Sequence, residues 1–294
     1  MAHHSRFVQN QLEINDFFEK SQTQIYTFTE LTVLFELHRD HWDLPKAMTI
    51  KKFIYELLEK TKMKSTNMEF PSNKFVRYVW GENANLYAIV ATLHKKAYFS
   101  HLSAMYLHGL IATKPNEIFI NVEQRERPKN ETGLTQAGID KAFKNHSRVT
   151  ANKATVDGHT INLLNGKQTA NLGVIKKEIS GVGTCFLTNI ERTLIDIAVR
   201  PVYSGGVKEV LNAYKGARGL ISTELLAEYL LKIGHTYPYH QSIGFYLERA
   251  RFPEETISIF EKMRKELIFY LDYRINNPKL SQKWNIIYPD VFDG

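Results

Sequence analysis

The chain has 294 residues, of which 43% are apolar, and this length suits two domains of ordinary size. Its single cysteine, Cys185, excludes an intramolecular disulfide and suits a reducing cytoplasm. No stretch approaches the roughly 18 apolar residues of a membrane span. We therefore expect a cytoplasmic protein with no membrane partner and with two domains, residues 1–95 and 96–294.

Most of the excess positive charge falls in one segment. The whole chain carries a formal net charge of +7. Residues 46–77 hold eight lysines and arginines against three glutamates, and eight minus three is +5. A local basic patch in an otherwise balanced chain is typical of a nucleic-acid contact. The alternative is a solvated helix face that binds no partner.

Two amphipathic helices precede this segment. Residues 11–20 (QLEINDFFEK) and 28–42 (FTELTVLFELHRDHW) both carry apolar side chains at helical spacing. Thr29 is the predicted N-cap of the second helix. Leu44-Pro45 ends that helix, since the residue before a proline avoids helical geometry.

A third helix is predicted over 49-TIKKFIYELLEK-60, with Thr49 as its N-cap. Its apolar side chains form one stripe, made by Ile50, Phe53, Ile54, Leu57 and Leu58. Lys51 and Lys52 lie in its first turn, where the helix dipole disfavours cations. This placement is explained if the start of the helix faces phosphates or base edges, as the recognition helix of a helix-turn-helix protein does.

The segment 66-TNMEFPSNKFVRYVW-80 predicts two strands joined by a turn at residues 71–74. Three helices followed by such a hairpin is the order of a winged helix-turn-helix domain. The alternative is an ordinary small α+β domain with basic residues on its surface. A further helix is predicted over residues 84–96.

The winged-helix hypothesis assigns DNA contacts to the third helix, the turn after it and the hairpin. Lys51, Lys52 and Tyr55 approach the major groove, and Thr49 donates to a phosphate at the helix start. The remaining contacts come from the turn and the hairpin, where phosphates meet Lys62, Lys64, Lys74 and Arg77. Asn73, at the tip of the hairpin, is a further DNA-binding candidate.

The stretch 98-YFSHLSAMYLHGL-110 predicts a short helix from His101 to His108, with Ser100 as its N-cap and Gly109 at its end. Seven residues separate the two histidines, which is roughly 10.5 Å along a helix. A zinc ion holds its ligands at about 2 Å each, so these two cannot share one. We expect both to be partly buried polar side chains.

A longer helical block follows at 188-TNIERTLIDIAVRPVYSGGVKEVLNAYKGA-217. Thr188 and Glu191 have the spacing of a capping box. The helix ends at Pro201, and the next helix is predicted to begin at Ser204. Residues four apart favour ion pairs along the first helix, through Arg192, Asp196 and Arg200.

The stretch 98–110 and the block 188–217 resemble one known family. Ser103-Ala104 and Gly109-Leu110 match the S-A-x-x-x-x-G-L signature of AbiEi-type antitoxins. A second sequence motif of that family is similar to residues 191–196 (ERTLID), followed by 205–206 (GG) and 209–211 (EVL). Both blocks stand in the family's order, behind a region with a winged-helix pattern. Residues 123–173 match no part of the family pattern.

The resemblance implies a DNA-binding transcriptional autorepressor from a type IV toxin–antitoxin system, a class that serves in phage defence. Such a protein binds inverted repeats in double-stranded DNA next to its own promoter. It also counteracts a cognate nucleotidyltransferase-like toxin, and this class does not require direct contact with the toxin.

The C-terminal part is predicted to mix helices and strands. Ser222 caps a helix over residues 223–234, and a second helix covers residues 238–250. Three strands are expected to join in one sheet, at residues 117–122, 174–179 and 267–275. The fold class is therefore α+β, with an N-terminal winged helix-turn-helix domain followed by a mixed α/β domain.

No enzyme signature is complete in the sequence. A phosphate-binding loop, an H-E-x-x-H zinc motif and a G-x-S-x-G nucleophile motif are all absent. Glu178 and Asp272, on two predicted strands, are the acids that a metal-dependent nuclease would use. We expect a protein that is not an enzyme and uses no cofactor or metal. The nuclease and a protein-interaction module without sequence-specific DNA binding remain alternatives.

Overall fold

Three clusters of buried apolar side chains organise the mixed α+β fold of the chain. The computed structural model describes residues 6–81, 84–125, 133–264 and 266–292. Within those ranges, none of the helices has both the length and the apolar character that a membrane crossing requires.

The first cluster belongs to the N-terminal 80 residues. Its strands form a three-stranded antiparallel sheet in the order β1-β3-β2, namely β1 (Ile25–Tyr26), β2 (Met63–Glu69) and β3 (Lys74–Trp80). The helices that pack around this core are α1 (Arg6–Gln9), α2 (Gln11–Lys20), α3 (Phe28–His38) and α4 (Ile50–Lys60). The predicted helix over residues 11–20 and the predicted hairpin are confirmed.

The N-cap of α3 is Thr27, two residues before the predicted N-cap. The Thr27 side chain accepts from the Glu30 amide at 3.2 Å, and the Glu30 carboxylate accepts from the Thr27 amide at 2.7 Å. This capping box provides hydrogen-bond partners for the backbone amides at the start of the helix, so the prediction of Thr29 as N-cap was wrong. Thr49 does cap α4, since its hydroxyl oxygen accepts from the Lys52 amide at 3.3 Å.

The second cluster covers one face of a six-stranded sheet with the order β6-β7-β5-β4-β9-β8. The strands are β4 (Tyr98–Phe99), β5 (Glu117–Glu123), β6 (Lys153–Val156), β7 (His159–Gly166), β8 (Val174–Ile179) and β9 (Gly183–Thr188). Strands β5 and β7 are parallel, as are β4 and β9, and the other pairs are antiparallel.

Helix α5 (Leu86–Ala91) packs with this second cluster rather than with the first. Its Tyr87 and Val90 share the cluster with Met68 of β2, so the hairpin and the large sheet meet here. The helix is shorter than the predicted 84–96 because the chain turns at Thr92. The amide and hydroxyl of Thr92 both donate to the carbonyl of Ile89, at 3.1 and 2.7 Å.

The third cluster is mainly helical. Its helices are α6 (His101–Leu107), α7 (Gln136–Phe143), α8 (Ile190–Val199), α9 (Val207–Gly216), α10 (Thr223–Ile233), α11 (Tyr239–Arg249) and α12 (Glu254–Glu261). A small sheet in the order β10-β12-β11 completes it, formed by β10 (Phe269–Tyr270), β11 (Pro278–Ser281) and β12 (Ile286–Pro289). The predicted cap of α10 is confirmed, since Ser222 accepts from the Leu225 amide at 3.2 Å.

The predicted strand over residues 267–275 does not join the large sheet. Only Phe269 and Tyr270 are extended, and they pair in parallel with β12. The amide of Phe269 donates to the carbonyl of Asn285 at 2.9 Å, so a strand close in sequence provides the partner. The other two predicted strands, at 117–122 and 174–179, do lie in one sheet.

The start of α8 also differs from prediction. Asn189 is the N-cap, and its side-chain oxygen accepts from the Arg192 amide at 3.0 Å. Thr188 ends β9 and shares a hydrogen bond with the Thr193 hydroxyl, while Glu191 accepts from the Ser222 amide at 3.0 Å. The predicted capping box was therefore wrong. The predicted ion pair between Arg192 and Asp196 is confirmed, at 2.8 Å.

The next helix, α9, starts at Val207 rather than at the predicted Ser204. Residues 201–203 first form a short 3-10 helix, and Gly206 then takes a φ of 88° immediately before α9. Such a left-handed backbone suits glycine and disfavours a side chain. The delayed start therefore depends on this turn.

The two histidines at the ends of α6, His101 and the C-cap His108, are partly buried polar groups, as predicted. His108 donates from Nε2 to the carbonyl of Thr188 at 2.6 Å, and His101 Nδ1 lies 2.9 Å from the Ser100 hydroxyl. That contact occupies Ser100, whose side chain makes no capping bond to α6. Burial lowers the pKa of His101 from 6.5 to about 4 and also lowers the pKa of His108.

Acidification is expected to destabilise the protein through these histidines. A histidine with a lower pKa in the folded state binds protons preferentially in the unfolded state. Stability that is present above the unfolded pKa of about 6.5 is therefore lost as the pH falls towards 4. Urea unfolding at about pH 7.5 and about pH 5 measures this loss.

His108→Gln preserves a donor for the Thr188 carbonyl but cannot be protonated, so it should reduce the loss of unfolding free energy on acidification. The exposed His94 supplies the control, His94→Gln, which should leave the loss unchanged. Equal pH dependence in both variants and the wild type would contradict this account.

Candidate nucleic-acid interface

Eight of the nine predicted DNA-contacting side chains lie at the surface of the N-terminal part. Thr49, Lys51, Lys52 and Tyr55 are exposed at the start of α4. The others with exposed side chains are Lys62, Lys64, Asn73 and Lys74, on the turn and the hairpin. Arg77 is the exception and is buried.

The outer face of α4 is basic in its first turn and carries one exposed charge of each sign near its end, Glu59 and Lys60. Lys52 Nζ lies 4.5 Å from the centre of the Tyr55 ring and 2.9 Å from Glu56 Oε1. Lys51 has no acidic partner within the part of the chain that the structure describes. Glu59 is exposed one turn beyond Tyr55. The first turn is therefore the part of α4 best suited to an anion.

Glu56 is a buried carboxylate that the sequence places on the polar face of the helix. Its side chain is only 4% exposed, and it pairs with Lys52 and with Lys60, the latter at 2.6 Å. Burial opposes its ionisation, but the hydrogen bonds from Lys60 and Lys52 outweigh burial and lower its pKa. The spacing of four residues on either side is the signal that could have predicted this pairing.

Two lysines around the hairpin are paired with exposed acids. Lys74 Nζ lies 2.8 Å from Glu69, its partner across β2 and β3, and Lys62 Nζ lies 2.5 Å from Glu19. Exposed ion pairs contribute only about 0–1 kcal/mol. These lysines can therefore exchange a carboxylate for a phosphate at small cost. Lys64 lies in β2 rather than in a turn.

The interpretation of Arg77 as a phosphate contact was wrong, because its side chain points inward. Arg77 is 6% exposed and donates from Nε to the Thr92 hydroxyl at 2.7 Å and from a terminal nitrogen to the Thr92 carbonyl at 2.6 Å. Alternation along β3 places it on the same face as Phe75 and Val79. Arg77 therefore fastens the hairpin to the end of α5.

Arg77→Ala is expected to lower the free energy of unfolding by about 2–3 kcal/mol, because it removes two hydrogen bonds that a buried charged donor makes to Thr92. Lys74→Ala, on the same strand but exposed, should change stability by no more than about 0.5 kcal/mol. Urea unfolding compares the two. An Arg77→Ala variant as stable as wild type with weakened DNA binding would restore Arg77 to the interface.

Comparison with known proteins shows a similar fold and gives no information on function. No family model matches the chain, and no curated protein matches it. The crystal structure of the RV2827C protein from Mycobacterium tuberculosis is similar, with a TM-score of 0.63 over 95% of this chain and 91% of that chain. The sequence identity is 11%, so the similarity concerns the fold alone. The AbiEi resemblance therefore stays a prediction.

Proposed function

We propose that the protein is a DNA-binding transcriptional regulator whose N-terminal part is a winged helix-turn-helix domain. The observation that carries the proposal is the basic first turn of α4, exposed beside a two-stranded hairpin. In winged-helix proteins the recognition helix enters the major groove by its N-terminal residues. Lys51, Lys52 and Tyr55 occupy that position here.

The order of elements supports this assignment. Helices α2, α3 and α4 are followed by the hairpin of β2 and β3, and the short β1 pairs with β3. This order of helices and strands, including the small strand between the first two helices, is that of a winged helix. Helix α4 then takes the place of the recognition helix and the hairpin that of the wing.

The charge along the interface supports contact at one end of α4. Thr49 accepts a bond from a backbone amide, and its hydroxyl proton remains able to donate to a phosphate. Lys62, Lys64 and Lys74 supply cations alongside. The first turn of α4 has no acidic residue, whereas Glu59 adds an exposed carboxylate towards the far end of the helix. Contacts from the helix start and the hairpin together are sufficient to hold a duplex in register.

The AbiEi resemblance extends the proposal to autorepression at inverted repeats next to the promoter and to counteraction of a nucleotidyltransferase-like toxin, for which this class does not require direct contact. The two blocks that carry the resemblance pack together in the third cluster. Met105 and Leu110 of the first block meet Leu194 and Val210 of the second there. This packing supports treating the two blocks as one structural unit.

One observation favours the protein-interaction alternative. Val33 and Leu37, one turn apart on α3, are 53% and 71% exposed, and Leu12 is 84% exposed. Apolar side chains of this size at a surface are typical of a protein contact when they are contiguous. An apolar interface responds weakly to salt, whereas a phosphate interface responds steeply, so salt dependence separates the two.

The nuclease alternative gains no support. Glu178 lies in β8 and accepts from the Thr184 hydroxyl, while Asp272 follows β10 beside the other sheet. Among the residues that the structure describes, no group of three or more histidine, cysteine, aspartate and glutamate side chains is placed to hold a metal ion.

The function is tested by a gel-shift titration of the full chain against the DNA upstream of its own gene, at two salt concentrations. We expect tight binding that falls steeply with salt, and much weaker binding to random DNA of equal length. Equal and weak binding to both DNAs would contradict sequence-specific DNA binding. Binding that does not change with salt concentration would instead favour the protein-interaction alternative and the exposed apolar side chains of α3.

Two lysines are expected to contribute differently to binding. Lys74→Ala should weaken binding to all sequences and reduce the salt slope by about one, because it removes one phosphate contact. Lys52→Ala should cost roughly 1–3 kcal/mol on the operator and relax sequence choice. Lys215→Ala, on the exposed part of α9, is the matched control and should bind as wild type. A Lys74→Ala variant with an unchanged salt slope would remove the hairpin from the interface.

A further inference from the structure

A polar cleft of about 660 Å³ opens where the six-stranded sheet meets the helices of the third cluster. One wall is formed near the carboxyl ends of the parallel strands β5 and β7, through Asn121 and Gly166. Asp196 and Arg200 of the α8 region form the opposite wall. Crevices at the carboxyl ends of strands are common ligand sites, and this volume suits a small molecule.

Several positively charged side chains line the cleft. Arg148, Arg192, Arg200 and Lys167 line it, and Asp196 is the carboxylate among its described lining residues. Arg192 Nε donates to Asp196 at 2.8 Å, so those two charges compensate each other. Among the residues that the structure describes, the Arg200 guanidinium has one hydrogen-bond partner, the carbonyl of Arg148 at 3.5 Å. Arg148 and Arg200 therefore favour an anionic ligand.

The same cleft presents aromatic rings. Its tyrosine lining consists of Tyr203, Tyr237, Tyr239 and Tyr273. The ring of Tyr273 stacks on Phe143 with 4.3 Å between ring centres, and the Tyr203 hydroxyl accepts from the Thr150 amide at 2.8 Å. These contacts hold the rings in place. Fixed aromatic surfaces beside cations suit a ligand with a flat ring and a charged group.

Neutral hydrogen-bonding groups complete the lining. His235 Nε2 is buried and has no hydrogen-bond partner in the described part of the chain. Burial lowers the pKa of His101 and of His235 to about 4, so both are neutral near pH 7. Asp196 repels a phosphate but accepts from a hydroxyl or an amino group. A simple polyanion would use the arginines and leave these groups unmatched.

We propose that this cleft binds a nucleotide. Its phosphates meet Arg148 and Arg200, its base lies against the tyrosines, and Asp196 and His235 take up donors and acceptors of the sugar or the base edge. This small-molecule site goes beyond the DNA interface and uses none of its residues.

Isothermal titration of the full chain tests the proposal with ATP, GTP and AMP. Two matched probes each lack one part of a nucleotide: tripolyphosphate lacks the base and sugar, and adenosine lacks the phosphate. We expect at least one nucleotide to bind tenfold or more tightly than both probes. Tripolyphosphate that binds as well as every nucleotide would overturn the proposal, and so would the absence of any nucleotide binding.

Variants locate the site. Arg200→Ala and Tyr203→Leu should each weaken nucleotide binding at least tenfold, with folding checked by circular dichroism. The control is a second cationic groove of similar size, lined by Lys208, Lys215 and Arg218 of α9 and its end. Lys215→Ala should leave the affinity unchanged. Loss of binding in Lys215→Ala but not in Arg200→Ala would assign the nucleotide to that groove and overturn the proposal.

A measurement on the wild-type protein tests the same site without any substitution. Photocrosslinking with azido-ATP should label peptides that contain the cleft tyrosines, and unmodified ATP should compete. Labelling confined to the α9 groove or to the N-terminal interface would contradict the proposal.

Discussion

The buried guanidinium of Arg192 is the interaction on which the C-terminal part depends. Its side chain is 6% exposed, and besides its bond to Asp196 it donates to the Thr169 hydroxyl at 3.0 Å and to the Leu172 carbonyl at 2.8 Å. A buried charge is tolerated only when it is paired and hydrogen-bonded. Arg192 therefore holds α8 against the segment that leads into β8. Gly173 permits this approach, because a Cβ there would lie 2.7 Å from that of Arg192.

Arg77 serves the same purpose at the other junction of the molecule. It joins the hairpin to the end of α5, and α5 packs in the cluster of the large sheet. The hairpin and the polar cleft are therefore each positioned by an arginine that binds the protein's own groups. In both places backbone carbonyls accept from the guanidinium, which suits the fixed fork of donors in arginine better than a lysine.

The two proposed binding surfaces differ in how their charges are balanced. Around the hairpin, exposed pairs such as Lys74–Glu69 exchange partners at small cost, which suits a long polyanion bound in competition with salt. In the cleft, buried groups such as Asn121 and the Arg192–Asp196 pair are held by internal hydrogen bonds. Groups fixed in this way suit a ligand of defined shape.

Local pattern by itself determined several of the helices, the hairpin and the two caps at Thr49 and Ser222. The stripe of α4, its cap at Thr49 and the turn before Lys74 follow from side chains a few residues apart. Only the tertiary structure decided which partners the long side chains and the strand edges have. Arg77 points inward because Thr92, fifteen residues away, presents acceptors. The cleft joins strand ends, α8 and residues near 235 that are distant in sequence, and periodicity carries no information about such meetings.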